Sequence, residues 1–133
     1  MTTNSCVFDT SALLALLRAE PGAERVRSRL ELADCCMHIV NVGEFLFTAS
    51  RKMPDRFTPE SAAVWLETTF LSQSRVMTTS FLILAARIRR ATPALSFGDG
   101  VAIALGATLN VPVLTTEKAF VKAADFARIE LIR

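Results

Sequence analysis

S-F-G-D-G-V-A-I-A-L-G-A-T-L-N-V-P-V-L-T-T-E, running from Ser96 to Glu117, is the stretch on which the fold turns. From Val101 to Leu109 only Gly106 and Thr108 interrupt the apolar side chains. A helix that is apolar on nearly every face has to be buried. Asn110 suits a left-handed C-terminal stop, and Val111-Pro112-Val113-Leu114 then reads as a short buried strand. A carboxylate marks each end of this greasy segment: Asp99 at the entrance to the helix and Glu117 just past the strand.

Outward from that segment the same alternation repeats. Ser5 to Phe8 is a short apolar strand, followed by Asp9-Thr10-Ser11 and a helix over Ala12 to Leu17. Glu20-Pro21-Gly22 turns into a second helix, Ala23 to Ala33, whose apolar positions fall on one face with Arg25, Arg27 and Arg29 off it. Cys35 to Val40 predicts a second strand, and Asn41 opens a third helix that Pro54 ends. Thr58-Pro59 caps and starts a fourth. A third short strand is expected around Val76, then a helix from Thr79 or Ser80 to Arg90, with Ala91-Thr92-Pro93 leading into Ser96. After Glu117 come a short helix and a last strand near Arg128 to Ile132. Short, continuously apolar strands between helices predict an α/β chain, a three-layer α/β/α sandwich around a mainly parallel sheet.

Composition agrees. The 133 residues are 51% hydrophobic and 21% charged with 5 Gly and 5 Pro, expected to form a single globular domain over residues 1–133. A net charge of +2 and a pI of about 8.6 suit a phosphate-bearing partner without demanding one. Cys6, Cys35 and Cys36 are an odd count without CxxC spacing, in apolar runs, and read as reduced core thiols of a cytoplasmic protein. The opening residues lack the basic, apolar pattern of a leader and no apolar run approaches the roughly 18 residues of a membrane span, so neither is expected.

Four acids fall at strand-to-helix junctions: Asp9, Glu44, Asp99 and Glu117. In a parallel sheet such junctions line one edge, where ligands bind. Each acid alone is also a good helix-start residue. Asn41-x-x-Glu44 and Ser96-x-x-Asp99 both have the form of capping boxes, Asp9 that of an N-cap, and Glu117 would suit a positive helix terminus. Together they repel, and helix dipoles supply only about half a charge each. Proton uptake or a cation must answer that repulsion. Oxygen-only ligands without a matching His or Cys set call for a hard ion, Mg²⁺ or Mn²⁺. Such a site suits phosphodiester hydrolysis. His38, the only histidine, reads as a packed core residue; no Walker loop, GxGxxG or Ser-His-Asp set competes.

V-F-D-T-S-A-L-L (Val7 to Leu14), N-V-G-E-F (Asn41 to Phe45), S-F-G-D-G-V-A-I-A-L-G-A (Ser96 to Ala107) and V-L-T-T-E-K-A-F (Val113 to Phe120) resemble the PIN domain, most closely the VapC-type ribonuclease toxins of bacterial toxin–antitoxin pairs. The resemblance spans essentially the whole chain. It implies a metal-dependent endoribonuclease, usually a homodimer, held inactive by a small antitoxin that threads into the acidic groove. By position, Asp9 and Asp99 would be the principal metal ligands, with Glu44 completing the set directly or through water. Ser11 would bond a ligand carboxylate, and Thr115 or Thr116 would hold the groove's shape; all three also suit ordinary helix caps. Glu117 departs from the family, where Asp is usual. Its extra methylene moves the carboxylate outward, so a single tightly held metal is the expectation.

RNA-holding cations would come from Arg51, Lys52, Arg56, Arg87, Arg89, Arg90 and Lys118, several of which also suit helix C-termini. Trp65, Phe70 and Phe81 suit either a dimer face or the core. Two other functions fit the residues. A PIN-like fold catalytically impaired through Glu117 would be a binding module. A phosphoacceptor α/β domain would load Asp9, but it needs an adjacent partner acid and a late-strand Lys, which Lys118 fits poorly.

Overall fold

The computed structural model describes residues 5–133. Among them, strands β1 (Cys6–Phe8), β2 (Cys35–His38), β3 (Ser72–Ser74), β4 (Val113–Thr115) and β5 (Ile129–Leu131) form one sheet. Its order is β3-β2-β1-β4-β5, with every neighbouring pair parallel. Helices α1 (Thr10–Leu17), α2 (Ala23–Leu32), α3 (Ile39–Lys52), α4 (Pro59–Glu67), α5 (Thr79–Ala91) and α6 (Phe97–Leu109) connect the strands, and a 3-10 helix (Lys118–Ala123) precedes β5. The chain moves outward from β1 through β2 to β3, then returns to place β4 on the other side of β1. That reversal is the switch point where crevices open in such sheets.

Side chains alternate across the sheet and build two apolar layers. Cys6, Phe8, Cys35, Met37 and Leu114 face α1, α2, α3 and α4. Val7, Cys36 and Val113 face α5 and α6. The predicted three-layer sandwich is the observed one. Residues Val101 to Gly106 of α6 are all buried, as an all-apolar helix requires. A Cβ on Gly106 would run into the Val113 side chain, so glycine lets α6 lie close on β4. Asn110 ends the helix in the left-handed conformation at φ 55°. All three cysteines are buried and free, and the Cys6 thiol donates to Cys35 Sγ at 3.4 Å across β1 and β2.

Several boundaries differ from the sequence expectation. The strand predicted around Val76 lies at Ser72–Ser74 instead. It is a polar, largely exposed edge strand, and hydropathy does not mark such a strand. Val76 sits beyond it in a loop, its carbonyl 2.7 Å from His38 Nε2. β2 stops at His38, two residues short of Val40, because His38 itself caps α3: its Nδ1 accepts from Val40 N at 3.0 Å. Asn41 therefore lies inside the first turn rather than opening the helix, and Asn41-x-x-Glu44 is not a capping box. Nδ1 as acceptor leaves Nε2–H to donate to the Val76 carbonyl, and His38 is a buried residue stacked on Phe81 at 5.4 Å. α1 begins at Thr10 rather than Ala12, with Asp9 as its cap. β4 is Val113–Thr115 because Val111 N instead bonds Gly106 O. Thr58 does cap α4, through a full capping box with Ser61. Phe81 is core and Trp65 stacks on Phe45 at 5.7 Å, whereas Phe70 is 94% exposed.

Candidate functional site

Asp9 directly follows β1 at the switch point, and its side chain is almost fully bonded. Oδ1 accepts from Ser11 Oγ at 2.7 Å and from Ala12 N at 3.0 Å, and Oδ2 accepts from Thr115 Oγ1 at 2.8 Å. The N-cap explanation of Asp9 is thus correct as far as it goes. It does not account for the depth: only 3% of the residue is exposed. Burial pushes the Asp9 carboxyl up to about 7, against the pull of its hydrogen bonds from Ser11, Ala12 and Thr115, and the charge of Asp99 adds to the rise.

The partners of Asp9 are themselves tied together. Ser11 Oγ accepts from Thr116 N at 3.0 Å, and Thr115 Oγ1 accepts from Glu117 N at 2.9 Å. The start of α1 is thereby latched to the end of β4. Ser11 and Thr115 act here through their hydroxyls, Thr116 through its backbone.

Glu44 reaches the same cleft from the first half of α3. Its Oε1 accepts from Thr10 Oγ1 at 3.1 Å and from Asn41 Nδ2 at 2.9 Å. Asn41 Nδ2 also donates to Gly98 O at 3.0 Å, joining α3 to the first turn of α6. A Cβ on Gly98 would collide with both carboxylate oxygens of Glu44. Gly100 makes a different close approach, to Arg89 and the Ala85 carbonyl. Asp99 forms the predicted capping box: Oδ2 accepts from Ser96 N at 2.9 Å while Asp99 N donates to Ser96 Oγ at 3.1 Å.

The four acids do come together. Asp9, Glu44, Asp99 and Glu117 line one cavity of about 230 Å³, with Ser11 and Lys52 in its wall. As the side chains stand, no three acids among the described residues are grouped closely enough to hold one ion. The donor set nevertheless fits a hard cation. It is all oxygen, and Glu44 Oε2 and Asp99 Oδ1 accept no hydrogen bond from the described residues. The upward push on Asp9 comes mainly from burial, with a smaller part from the charge of Asp99, and a cation would favour the charged form that both oppose.

Sequence reasoning missed Thr10 and Asn41, whereas the close approach expected at Gly98 and Gly100 beside Asp99 is present at both. Asn41 had a legible signal, since three residues along a helix from Glu44 puts it on the same face. Thr10 gave none, because its contact with Glu44 crosses from one element to another. Of the cations proposed for RNA, Lys52 lines the acidic cavity. Arg51 lies over Phe47 and Arg56 over Phe57. Arg89 and Arg90 border a separate apolar hollow of about 620 Å³ with Leu82, Pro93 and Phe97. Arg87 and Lys118 are exposed and line neither space.

A family model described as the PIN domain matches residues 6–126. No curated protein matches the chain. Similar solved structures include a toxin–antitoxin complex from Klebsiella pneumoniae, at 15% identity and TM-score 0.71, covering 96% of this chain and 98% of that one. VapBC-1 from nontypeable Haemophilus influenzae matches at 18% identity and TM-score 0.69, over 96% and 98%. DNA-bound VapBC from Salmonella typhimurium matches at 17% identity and TM-score 0.72, over 97% and 98%. At these identities the structural likeness speaks to fold alone.

Proposed function

Because this chain belongs to the PIN domain family, we propose that it is a Mg²⁺- or Mn²⁺-dependent endoribonuclease and the toxin of a toxin–antitoxin pair. The observation that carries this reading is the single cavity lined by Asp9, Glu44, Asp99 and Glu117. Support for the toxin role comes from the toxin–antitoxin and VapBC structures that share the fold. The partners that follow are an RNA substrate, a small antitoxin and a second copy of the chain, in the cytoplasm; no helix among the described residues is long and apolar enough to cross a membrane.

Asp9 and Asp99 would be the principal ligands of the ion, with Glu44 completing the set and Glu117 at the mouth. When bound, a divalent cation lowers the pKa of a water and neutralises charge on a phosphate. The chain's own residues do the rest. Ser11, Ala12 and Thr115 fix the Asp9 carboxylate, and Asn41 and Thr10 fix one oxygen of Glu44 while leaving the other available. Glu117 is exposed and would act from the rim, steering a water or the leaving oxygen.

The test is cleavage of RNA by purified protein. Cutting should require Mg²⁺ or Mn²⁺, stop with EDTA, and vanish in Asp9→Asn and Asp99→Asn; undiminished cutting by those variants in EDTA ends the proposal. The spacing of the acids also favours a second reading, a catalytically impaired binding module, since no three are grouped for one ion as they stand. RNA binding without cleavage at any metal concentration would support it.

A further inference from the structure

The acidic cavity does not end at Glu117. A second cavity of about 150 Å³ shares Ser11, Leu14, Lys52 and Glu117 with it, so the two are successive parts of one groove. The lining changes sign along that groove. In the first part Lys52 faces four carboxylates; in the second, Arg18, Lys52 and Arg133 outnumber Glu20 and Glu117. Of the three cations, Lys52 at the end of α3 is among those the sequence proposed for RNA; Arg18, which caps α1, and Arg133, which follows β5, were not, because only the folded sheet brings them to the same groove.

The two guanidiniums are only loosely engaged. Arg18 Nη1 and Arg133 Nη1 each lie 3.5 Å from a different oxygen of the one Glu20 carboxylate, with side chains 36% and 38% exposed. Long, shared, solvent-screened pairs of this kind hold weakly. They leave most of the guanidinium N–H donors open, and those donors form a planar fork that matches phosphate oxygens. Lys52 stands between the two parts of the groove and makes no ion pair among the described residues, which suits a point charge for a passing backbone.

We propose that Arg18, Lys52 and Arg133 form a phosphate subsite that grips the RNA backbone next to the bond positioned at the acids. The inference rests on the nuclease reading for the choice of RNA, but its test does not need catalysis. Bound phosphates displace counterions, and each contact contributes about 0.7 to the slope of log affinity against log salt for single strands. Fluorescence anisotropy of a labelled 12-nucleotide single-stranded RNA, titrated in EDTA at several salt concentrations, reads that slope directly. Arg18→Gln with Arg133→Gln should flatten the slope by about 1.4 and weaken binding roughly tenfold at low salt. Lys52→Gln, which disturbs no ion pair, should flatten it by about 0.7. Lys122→Gln, an exposed lysine outside the groove, should leave it unchanged.

Unchanged slopes in the groove variants, or no RNA binding by the wild-type protein, would overturn the subsite. Polyglutamate displacing the RNA at equal charge concentration would assign the groove to an acidic protein and also overturn it. The two proposals separate cleanly. Altered slopes without metal-dependent cleavage keep the subsite and reject the nuclease; cleavage with unaltered slopes does the reverse.

Discussion

Thr115 Oγ1 donates to Asp9 Oδ2 at 2.8 Å, joining the end of β4 to the residue after β1 across the sheet's switch point. The same hydroxyl accepts from Glu117 N at 2.9 Å. Thr115→Val keeps the shape and removes both bonds, leaving a buried carboxylate oxygen and an amide unsatisfied. We expect a loss of about 1–3 kcal/mol in urea unfolding, larger at neutral than at acidic pH because the charged carboxylate suffers more. An unchanged midpoint would mean that the latch is not structural.

Asp9 makes stability depend on pH in an unusual sense for an acid. Its carboxyl is raised from 3.8 to about 7 by burial, so between those values the folded state holds a proton that the unfolded state has released. Stability from this group is therefore full below about 4 and is lost as pH rises through 7, by at most roughly 4 kcal/mol. Thermal unfolding in EDTA should show a falling melting temperature over that window, and Asp9→Asn should remove most of the fall. A divalent ion at 100 times its Kd should restore about 2.7 kcal/mol at neutral pH.

Asn41 is a positioning residue for Glu44. Its amide nitrogen serves Glu44 Oε1 and Gly98 O together, while its own Oδ1 is buried without a donor. Asn41→Ala removes two bonds and one orphaned acceptor, so the cost in stability should stay near 1 kcal/mol. Mn²⁺ affinity should fall by more than that cost suggests, about tenfold, as Glu44 is released. Equal losses in both quantities would reduce Asn41 to a packing residue.

Gly98 separates helix propensity from site geometry. Alanine is favoured in a helix by roughly 0.5–1 kcal/mol, yet a Cβ here meets the Glu44 carboxylate. Gly98→Ala should hold its melting temperature within a few degrees while RNA cleavage falls at least tenfold. Full activity would show that Glu44 can be displaced without consequence.

Periodicity and capping chemistry made much of the fold legible. The all-apolar run from Val101, the Asn110 stop and the Thr58-Pro59 start all correspond to real elements. β3 was misplaced because Ser72, Gln73 and Ser74 form an edge strand whose pairing is by backbone, which composition does not record. The four acids were findable because a parallel sheet sends its strand ends to one edge. Their supporting bonds were less so: Thr10 to Glu44 and Asn41 to Gly98 span 34 and 57 residues. Likewise, Arg18 and Arg133 meet at Glu20 only after the whole sheet has formed.

Calorimetric titration of Mn²⁺ into the purified protein, above the pH at which Asp9 ionises, bears most directly on whether these carboxylates share a cation. Saturable binding of one ion per chain, lost in Asp9→Asn and in Asp99→Asn, is the expected result. No binding by the wild type, or the same binding by both variants, would contradict it.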